Sequence, residues 1–140
     1  MSSLEGLYQD VILDHSQSPR RSESLKVVTS SSVAKNPLCG DMVVLEVYVE
    51  SGIVKDLSCK TNGCAISTAA GSIMASEIIG KTKVEALATV ERFIEALKNN
   101  QELETSSEEL CILSKVYNYP TRIKCAILPW NALREILEKS

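Results

Sequence analysis

Residues 43–59, which read VVLEVYVESGIVKDLSC, decide the fold class of this chain. Every second side chain from Val43 to Val49 is apolar, which is the period of a β-strand. Ser51-Gly52 then supplies a tight turn, and a second strand follows it. The apolar face of this second strand is predicted to hold Ile53, Leu57 and Cys59. The opposite face is predicted to hold Val54, Asp56 and Ser58. The stretch therefore predicts an antiparallel β-hairpin.

After the hairpin, the hydrophobic period changes to that of helices. Apolar and small residues from Ile66 to Ile78 share one helical face, and Gly80 suits the position just beyond a helix end. Thr82-Lys83-Val84-Glu85 has the pattern of a capping box, which predicts a further helix ending near Asn99-Asn100.

The C-terminal third is predicted to be helical as well. An acidic segment, Gln101–Glu109, precedes a short helix around Leu110 and Leu113, with Ser106–Glu109 as its cap. Thr121 is expected to cap a last helix that carries Trp130. Pro129 lies inside that helix, so we expect a kink there or a restart of the helix.

Before the hairpin we expect one helix and one edge strand. The helix should reach about Asp14 and stop before Pro19, and Lys26–Thr29 is a possible short strand. The order is thus a helix, a small antiparallel sheet of about three strands, and several helices. This is an α+β plan in a single domain over residues 1–140.

Composition excludes several classes of function. The chain has a net charge of −3 and no basic stripe interleaved with aromatic residues, so we expect no nucleic-acid partner. No apolar run approaches the roughly 18–20 residues of a membrane span, and the N-terminus lacks the basic region of a signal peptide. Five cysteines, an odd number, favour a reducing compartment, and we expect a cytoplasmic protein.

Three cysteines and an aspartate have the right chemistry for one tetrahedral metal site: Cys39, Asp41, Cys64 and Cys125. Cys39 and Asp41 flank Gly40 in a loop, where an unliganded thiol would be about as common. Cys64 and Cys125 are predicted at helix N-termini, where the helix dipole favours a thiolate. An inert buried thiol remains the alternative for each of them.

The other cysteines and the one histidine are less suited to be ligands. Cys59 lies on the apolar face of its strand and Cys111 lies in a helical stretch, so both are predicted to pack. His15 is expected at the surface, or at the C-terminal end of the first helix, where it meets the helix dipole. The sequence has no C-x-x-C motif, which disfavours a thioredoxin-like dithiol.

Thiolate ligands favour Zn²⁺, Cu(I) or iron–sulfur clusters. The carboxylate is the harder donor and hence the more exchangeable one. A site with three sulfurs and one carboxylate therefore suggests that ligands exchange during function, because closed structural zinc sites usually use Cys or His throughout. A thiol released from such a site could accept sulfur by exchange chemistry.

Four motifs resemble one protein family in order and spacing: LYQDVILDH at 7–15, NPLCGD at 36–41, GCAIS at 63–67 and YPTRIKC at 119–125. The chain resembles the IscU/NifU-N superfamily of iron–sulfur cluster assembly proteins, and most closely its SufU branch. IscU-type proteins carry a histidine immediately before the last cysteine, whereas this chain has Lys124. The Gln101–Lys115 region resembles the insertion found in SufU-type proteins.

The resemblance implies a zinc site formed by Cys39, Asp41, Cys64 and Cys125. It also implies that Cys39 accepts persulfide sulfur from a cysteine desulfurase of the SufS type and passes it toward downstream iron–sulfur scaffold or acceptor proteins. Arg122 matches a position associated with desulfurase docking, and the charge of Lys124 would favour thiolates nearby.

Two alternatives remain open. The same four side chains could carry a [2Fe–2S] cluster, which would make the protein a scaffold. The protein could also be a structural zinc domain that acts only as an interaction module.

Overall fold

The structure, a computed structural model, describes residues 4–37 and 40–139. The main elements in chain order are α1 (Leu4–Gln17), β1 (Ser30–Asn36), β2 (Asp41–Glu50), β3 (Ile53–Asn62), α2 (Ala65–Ile78), α3 (Lys83–Lys98), α4 (Glu108–Ser114) and α5 (Ile123–Lys139). Two 3-10 turns, Lys115–Asn118 and Pro120–Arg122, connect α4 to α5. The predicted α+β architecture is confirmed. None of the described helices is both long and apolar enough to cross a membrane.

The predicted hairpin is the centre of the sheet. The three strands form an antiparallel meander in the order β1-β2-β3. Ser51 and Gly52 both have positive φ, +55° and +75°, as a two-residue hairpin turn requires. Val43 and Leu45 are completely buried, because the core lies against this face of β2.

A β-bulge corrects the predicted faces of β3. Tyr48 pairs with Asp56 but Val49 pairs with Val54, so the register shifts by one residue at Lys55. A shift of one residue moves side chains to the other face of a strand. Val54 is consequently buried and Ile53 only partly so, which makes the prediction that Ile53 shares the core face wrong.

The first strand also lies later in the chain than predicted. It begins at Ser30, and the prediction of a strand at Lys26–Thr29 is wrong. Val27 and Val28 are exposed, so their apolar character does not reflect burial in the sheet. The Ser-rich β1 instead forms through backbone pairing with β2, from Ser30 opposite Val47 to Asn36 opposite Asp41.

The helix boundaries mostly follow the sequence signals. Gly80 has a φ of +95° just beyond the C-terminal cap of α2, and Thr82 forms both hydrogen bonds of a capping box with Glu85. Ser107 caps α4 by accepting a hydrogen bond from the amide of Leu110.

For the last helix, the predicted cap is wrong, and so is one of the two alternatives expected at Pro129. Thr121 lies in the 3-10 turn and α5 begins at Ile123, so Thr121 does not cap it. The helix does not restart at Pro129, because α5 is continuous from Ile123 to Lys139. The 3-10 turn instead sets where α5 begins, two residues before Cys125.

Helices α2 and α5 hold the sheet and the remaining helices together. Helix α2 packs against β3 and α1, and α5 packs against β1, β2 and α3. Phe93 of α3 stacks on Trp130 of α5 with ring centroids 4.4 Å apart. These contacts fix the N-terminal ends of α2 and α5 beside the start of β2.

Candidate metal centre

Three of the four predicted ligands meet at one end of the sheet. Asp41 is the first residue of β2, Cys64 is the N-cap of α2, and Cys125 lies in the first turn of α5. One carboxylate oxygen and the two sulfur atoms all lie within 4.8 Å of one another. Asp41 and Cys125 are buried and Cys64 is half-buried, so the centre lies just below the surface.

Asp41 is held close to the backbone that precedes α2. Its Oδ1 accepts a hydrogen bond from the amide of Cys64 at 2.9 Å. A Cβ at Gly63 would lie only 2.1 Å from the same oxygen, so any side chain there would displace the carboxylate. Gly63 is therefore required for this close approach.

Ser67 is a site residue to which the sequence analysis assigned no role. Its side chain is fully buried, and its hydroxyl donates to Asp41 Oδ2 at 2.7 Å and lies 3.4 Å from Cys64 Sγ. Its amide also points at that sulfur, at 3.5 Å. The available signal was its spacing, because Ser67 is the third residue after the N-cap, where a helix amide meets the capping side chain.

Hydrogen bonds keep Asp41 ionised despite its surroundings. Burial raises the pKa of this carboxyl group, but hydrogen bonds from Ser67, from the Cys64 amide and from the Cys125 and Cys64 side chains lower it more. The net pKa is below the usual value for aspartate. The carboxylate is thus a charged donor ready to bind a cation.

Cys39, the fourth predicted ligand, lies outside the described residues, and its place in the site stays a prediction. Gly40 follows it with a φ of +72°, and its amide donates to the Asn36 carbonyl at 2.9 Å. This bond closes the loop between β1 and β2 and directs the chain into Asp41.

The donor set fits a zinc ion. Zinc bonds of about 2.1 Å to oxygen and 2.3 Å to sulfur at tetrahedral angles imply an oxygen–sulfur separation of roughly 3.6 Å. Cys64 Sγ lies 3.8 Å from Asp41 Oδ2. Small movements would therefore place these atoms around one ion.

The two cysteines predicted to pack differ in their environments. Cys59 is 4% exposed, and burial raises the pKa of its thiol to about 11. Cys111 is only half-buried, with its sulfur 3.6 Å from Glu102 Oε1. Burial is the first cause that raises the pKa of Cys111 as well, and its contact with Glu102 is the second. Neither thiol belongs to the cluster of Asp41, Cys64 and Cys125.

His15 is not at the surface, contrary to one expectation. It lies in the last turn of α1 but is 1% exposed. Its Nδ1 lies 2.7 Å from Ser72 Oγ and its Nε2 lies 2.6 Å from Glu109 Oε2. Both ring nitrogens are thus engaged in hydrogen bonds that join α1 to α2 and α4. No sequence signal predicts these two hydrogen bonds, because Ser72 and Glu109 are distant from His15 in the chain.

Aromatic and basic side chains border the centre. Tyr8 stacks on Tyr119 with centroids 5.6 Å apart. Burial and the nearby Tyr119 raise the pKa of Tyr8 to about 12, while Arg122 acts in the opposite direction. Arg122 and Lys124 are both exposed, on either side of the start of α5.

Comparison with known proteins identifies the family of this chain. The family described as the NifU-like N-terminal domain matches residues 7–126. An iron–sulfur cluster assembly scaffold protein IscU of Streptococcus pyogenes serotype M1 is 39% identical over 143 residues, covering 100% of this chain and 88% of that protein. A zinc-dependent sulfurtransferase SufU of Bacillus subtilis is 33% identical, covering 99% and 94%.

A solved structure also shares the fold. The crystal structure of a putative iron–sulfur cluster assembly scaffold protein for the SUF system, from Fervidobacterium islandicum, superposes with a TM-score of 0.83 at 32% identity. The match covers 91% of this chain and 94% of that one. The chain belongs to the NifU-like N-terminal domain family.

Proposed function

We propose that this protein is a zinc-dependent sulfur carrier for iron–sulfur cluster assembly. In this proposal Cys39, Asp41, Cys64 and Cys125 hold the ion, and Cys39 accepts sulfur from a cysteine desulfurase of the SufS type. The observation that carries the proposal is the convergence of Asp41, Cys64 and Cys125 from three separate elements. The name of the Bacillus subtilis relative supports the choice of zinc and of sulfur transfer.

The transfer itself is a thiol exchange at Cys39. The Cys39 thiolate attacks the outer sulfur of a persulfide on the donor, and a new sulfur–sulfur bond forms. The sulfur–sulfur bond of the donor breaks, and the donor cysteine leaves as a thiolate with the electron pair. Bound zinc would keep the ligand thiols deprotonated and protected from side reactions.

Asp41 is suited to be the ligand that exchanges during function. Its carboxylate has hydrogen-bond donors in Ser67 and in the Cys64 amide, whether or not it binds an ion. These donors would hold the charge while another ligand enters or leaves. We therefore expect the carboxylate, rather than Cys64 or Cys125, to adapt when the fourth position changes.

Arg122 and Lys124 are proposed to serve the approach of the donor. Both side chains are exposed beside the N-terminal end of α5. We propose that Arg122 contributes to docking of the desulfurase and that Lys124 favours the thiolate form of nearby sulfur. The accepted sulfur then passes to downstream iron–sulfur scaffold or acceptor proteins.

The first experiment is elemental analysis and an absorption spectrum of protein purified anaerobically. About one zinc per chain without iron or sulfide supports the carrier proposal. Persulfide trapping after incubation with a desulfurase and cysteine should then label Cys39. Cys39→Ala should abolish sulfur acceptance, whereas Cys111→Ala, which removes a thiol outside the candidate cluster, should retain it. Full stimulation of the desulfurase by Cys39→Ala would refute the proposal.

A second candidate function is that of a scaffold for a [2Fe–2S] cluster. The observation that favours it is the name of the Streptococcus pyogenes relative, an assembly scaffold at 39% identity. Equal amounts of iron and sulfide with visible charge-transfer bands would select this function. Zinc without any persulfide on Cys39 would instead indicate a structural zinc module.

A further inference from the structure

A groove with basic side chains around it lies next to the candidate metal centre. It has a volume of about 330 Å³ and is formed by the end of β1, the end of α3 and the first half of α5. Its lining includes Lys35, Asn36, Lys98, Lys124, Ile127 and Leu128.

The charge of the groove is unbalanced. Lys35, Lys98 and Lys124 are all exposed, and none of them forms a salt bridge with any residue in the described ranges. No carboxylate is among the lining residues of the described chain. The protein as a whole is acidic, with a net charge of −3. Three unpaired ammonium groups around the groove therefore create a local positive potential that attracts carboxylates.

Two lining residues of the groove are neighbours of candidate ligands. Lys124 is the neighbour of Cys125, and Asn36 is paired with Asp41 in the sheet. The chain from Pro37 continues into the loop that contains Cys39. A segment that occupies the groove would thus contact residues adjacent to Asp41 and Cys125.

We infer that this groove binds an acidic segment, with an apolar side chain, of the protein that delivers sulfur; the inference rests on the proposed function. Carboxylates of the segment would pair with Lys35, Lys98 and Lys124. Its apolar side chain would lie on Ile127 and Leu128, the apolar part of the lining. Charge pairs of this kind increase association rates and fix the orientation of a partner more than they increase affinity.

The test uses two double variants of the whole protein with equal net charge. Lys35→Glu/Lys98→Glu reverses two of the three lysines and leaves Lys124, next to a ligand, unchanged. Lys26→Glu/Lys55→Glu is the control, since both of its lysines are exposed and outside the groove. Each pair changes the net charge by four units. Lys35→Gln/Lys98→Gln is a milder pair in case reversal at the end of α3 weakens the fold.

Two probes separate this inference from the proposed function. One is a fluorescein-labelled eight-residue peptide of alternating Asp and Leu, followed by fluorescence anisotropy. The other is a purified SufS-type desulfurase, titrated while sulfur loading is followed. For Lys35→Glu/Lys98→Glu we expect about tenfold weaker peptide binding and about tenfold higher half-saturation by desulfurase, with unchanged maximal loading. The glutamine pair should lie in between, and raising the salt concentration should reduce the difference.

Three outcomes would contradict the inference or the proposed function. If the Lys35/Lys98 variants match the Lys26→Glu/Lys55→Glu control with both probes, the inference is overturned. If inorganic phosphate displaces the peptide at micromolar concentration, the groove is a small-anion site and the inference is also wrong. If the wild-type protein binds the peptide through these lysines but never accepts sulfur, the proposed function fails while the acidic preference of the groove stands.

Discussion

Cys59 and Cys64 lie five residues apart in the chain, yet the structure places them in opposite chemical environments. Cys59 is in the sheet–helix core, where its sulfur would lie 2.6 Å from a Cβ built on Gly71. Cys64 is at the candidate metal centre, where Gly63 allows Asp41 a similarly close approach. In both regions a glycine leaves room for a polar group: Gly71 of α2 for the Cys59 thiol, and Gly63 just before α2 for the Asp41 carboxylate. The difference in chemistry comes from what surrounds that group.

Hydrogen-bond donors explain the difference. Burial raises the pKa of Cys59 to about 11, and a single weak contact with Thr61, 3.9 Å from its sulfur, opposes this only slightly. Burial also raises the pKa of Asp41, but its several hydrogen bonds reverse the sign. An ionised group persists below the surface only where the protein supplies donors to it. The core therefore holds Cys59 as a neutral thiol, and the candidate metal centre holds Asp41 as a charged carboxylate.

The largest expected effect is the loss of metal binding in Gly63→Ala. The new Cβ would meet Asp41 Oδ1 at 2.1 Å and displace the carboxylate from the centre. Changes that disturb ligand orientation typically reduce metal affinity by about 10–100-fold, and we expect a value near the upper end. Competition with a chromophoric chelator measures this. Gly71→Ala is the matched control and should keep its zinc affinity. Wild-type affinity in Gly63→Ala would remove the distinction between the two glycines.

The second prediction compares thiol reactivity. With a pKa of about 11, only about 0.1% of Cys59 is thiolate at pH 8, against about 10% at the ordinary pKa of 9.0. We expect iodoacetamide to label Cys59 of the folded protein at least about a hundredfold more slowly than an exposed thiol. After zinc is removed with a chelator, the half-buried Cys64 should become reactive while Cys59 does not. Peptide mass spectrometry over a pH series reads out each site, and rapid labelling of Cys59 would contradict its core assignment.

The third prediction concerns stability. In Gly71→Ala the added methyl would collide with the Cys59 sulfur, and overpacking of a core costs about 1–3 kcal/mol. The better helix propensity of alanine offsets up to about 1 kcal/mol of that. With the full offset, the free energy of unfolding in urea should thus fall by up to about 2 kcal/mol. In a Cys59→Ala background the collision is gone, and the same substitution should be neutral or stabilising. Additive effects would show that Gly71 is not required by Cys59.

The sequence was informative where local signals coincide with tertiary burial. The alternation in β2, the turn at Ser51-Gly52 and the capping box at Thr82 are local, and the structure confirms them. The bulge at Lys55 was missed because it depends on pairing with β2. Likewise β1 is defined by its partner strand, since its Ser-rich sequence carries little strand propensity of its own.

In the candidate site, too, the sequence predicts the local features but not the tertiary contacts. Cys64 and Cys125 were predicted at helix N-termini from sequence, and both lie there. That they meet Asp41 is a tertiary fact, which spacing alone does not establish. The contact of Ser67 with Asp41 and the partners of His15 were missed, because a serine or glutamate that hydrogen-bonds across the fold looks in sequence like any polar residue on a helix. The spacing of Ser67 after the N-cap indicates only its contact with Cys64.

The smallest expected effect tests the hydroxyl neighbours of the two regions. Ser67 donates to Asp41 at 2.7 Å and lies 3.4 Å from Cys64 Sγ, whereas Thr61 lies 3.9 Å from Cys59 Sγ. Ser67→Ala removes a donor that orients a ligand, so zinc affinity should fall by about tenfold. Thr61→Val removes only a weak contact and should leave zinc affinity unchanged.

A pH series tests whether the effect of Ser67→Ala arises from the charge of Asp41. The lowered pKa of Asp41 stabilises the metal-free fold above the pKa that an aspartate has in the unfolded chain, about 3.9, and this contribution is lost as the pH falls through the folded value. Without the Ser67 hydroxyl the folded pKa should rise toward that of the unfolded chain. Metal-free Ser67→Ala should therefore lose less stability than the wild-type protein between pH 6 and acid, by up to about 1 kcal/mol. Urea unfolding at each pH measures this, and an equal slope in both proteins would mean that the other donors to Asp41 suffice to keep the carboxylate charged.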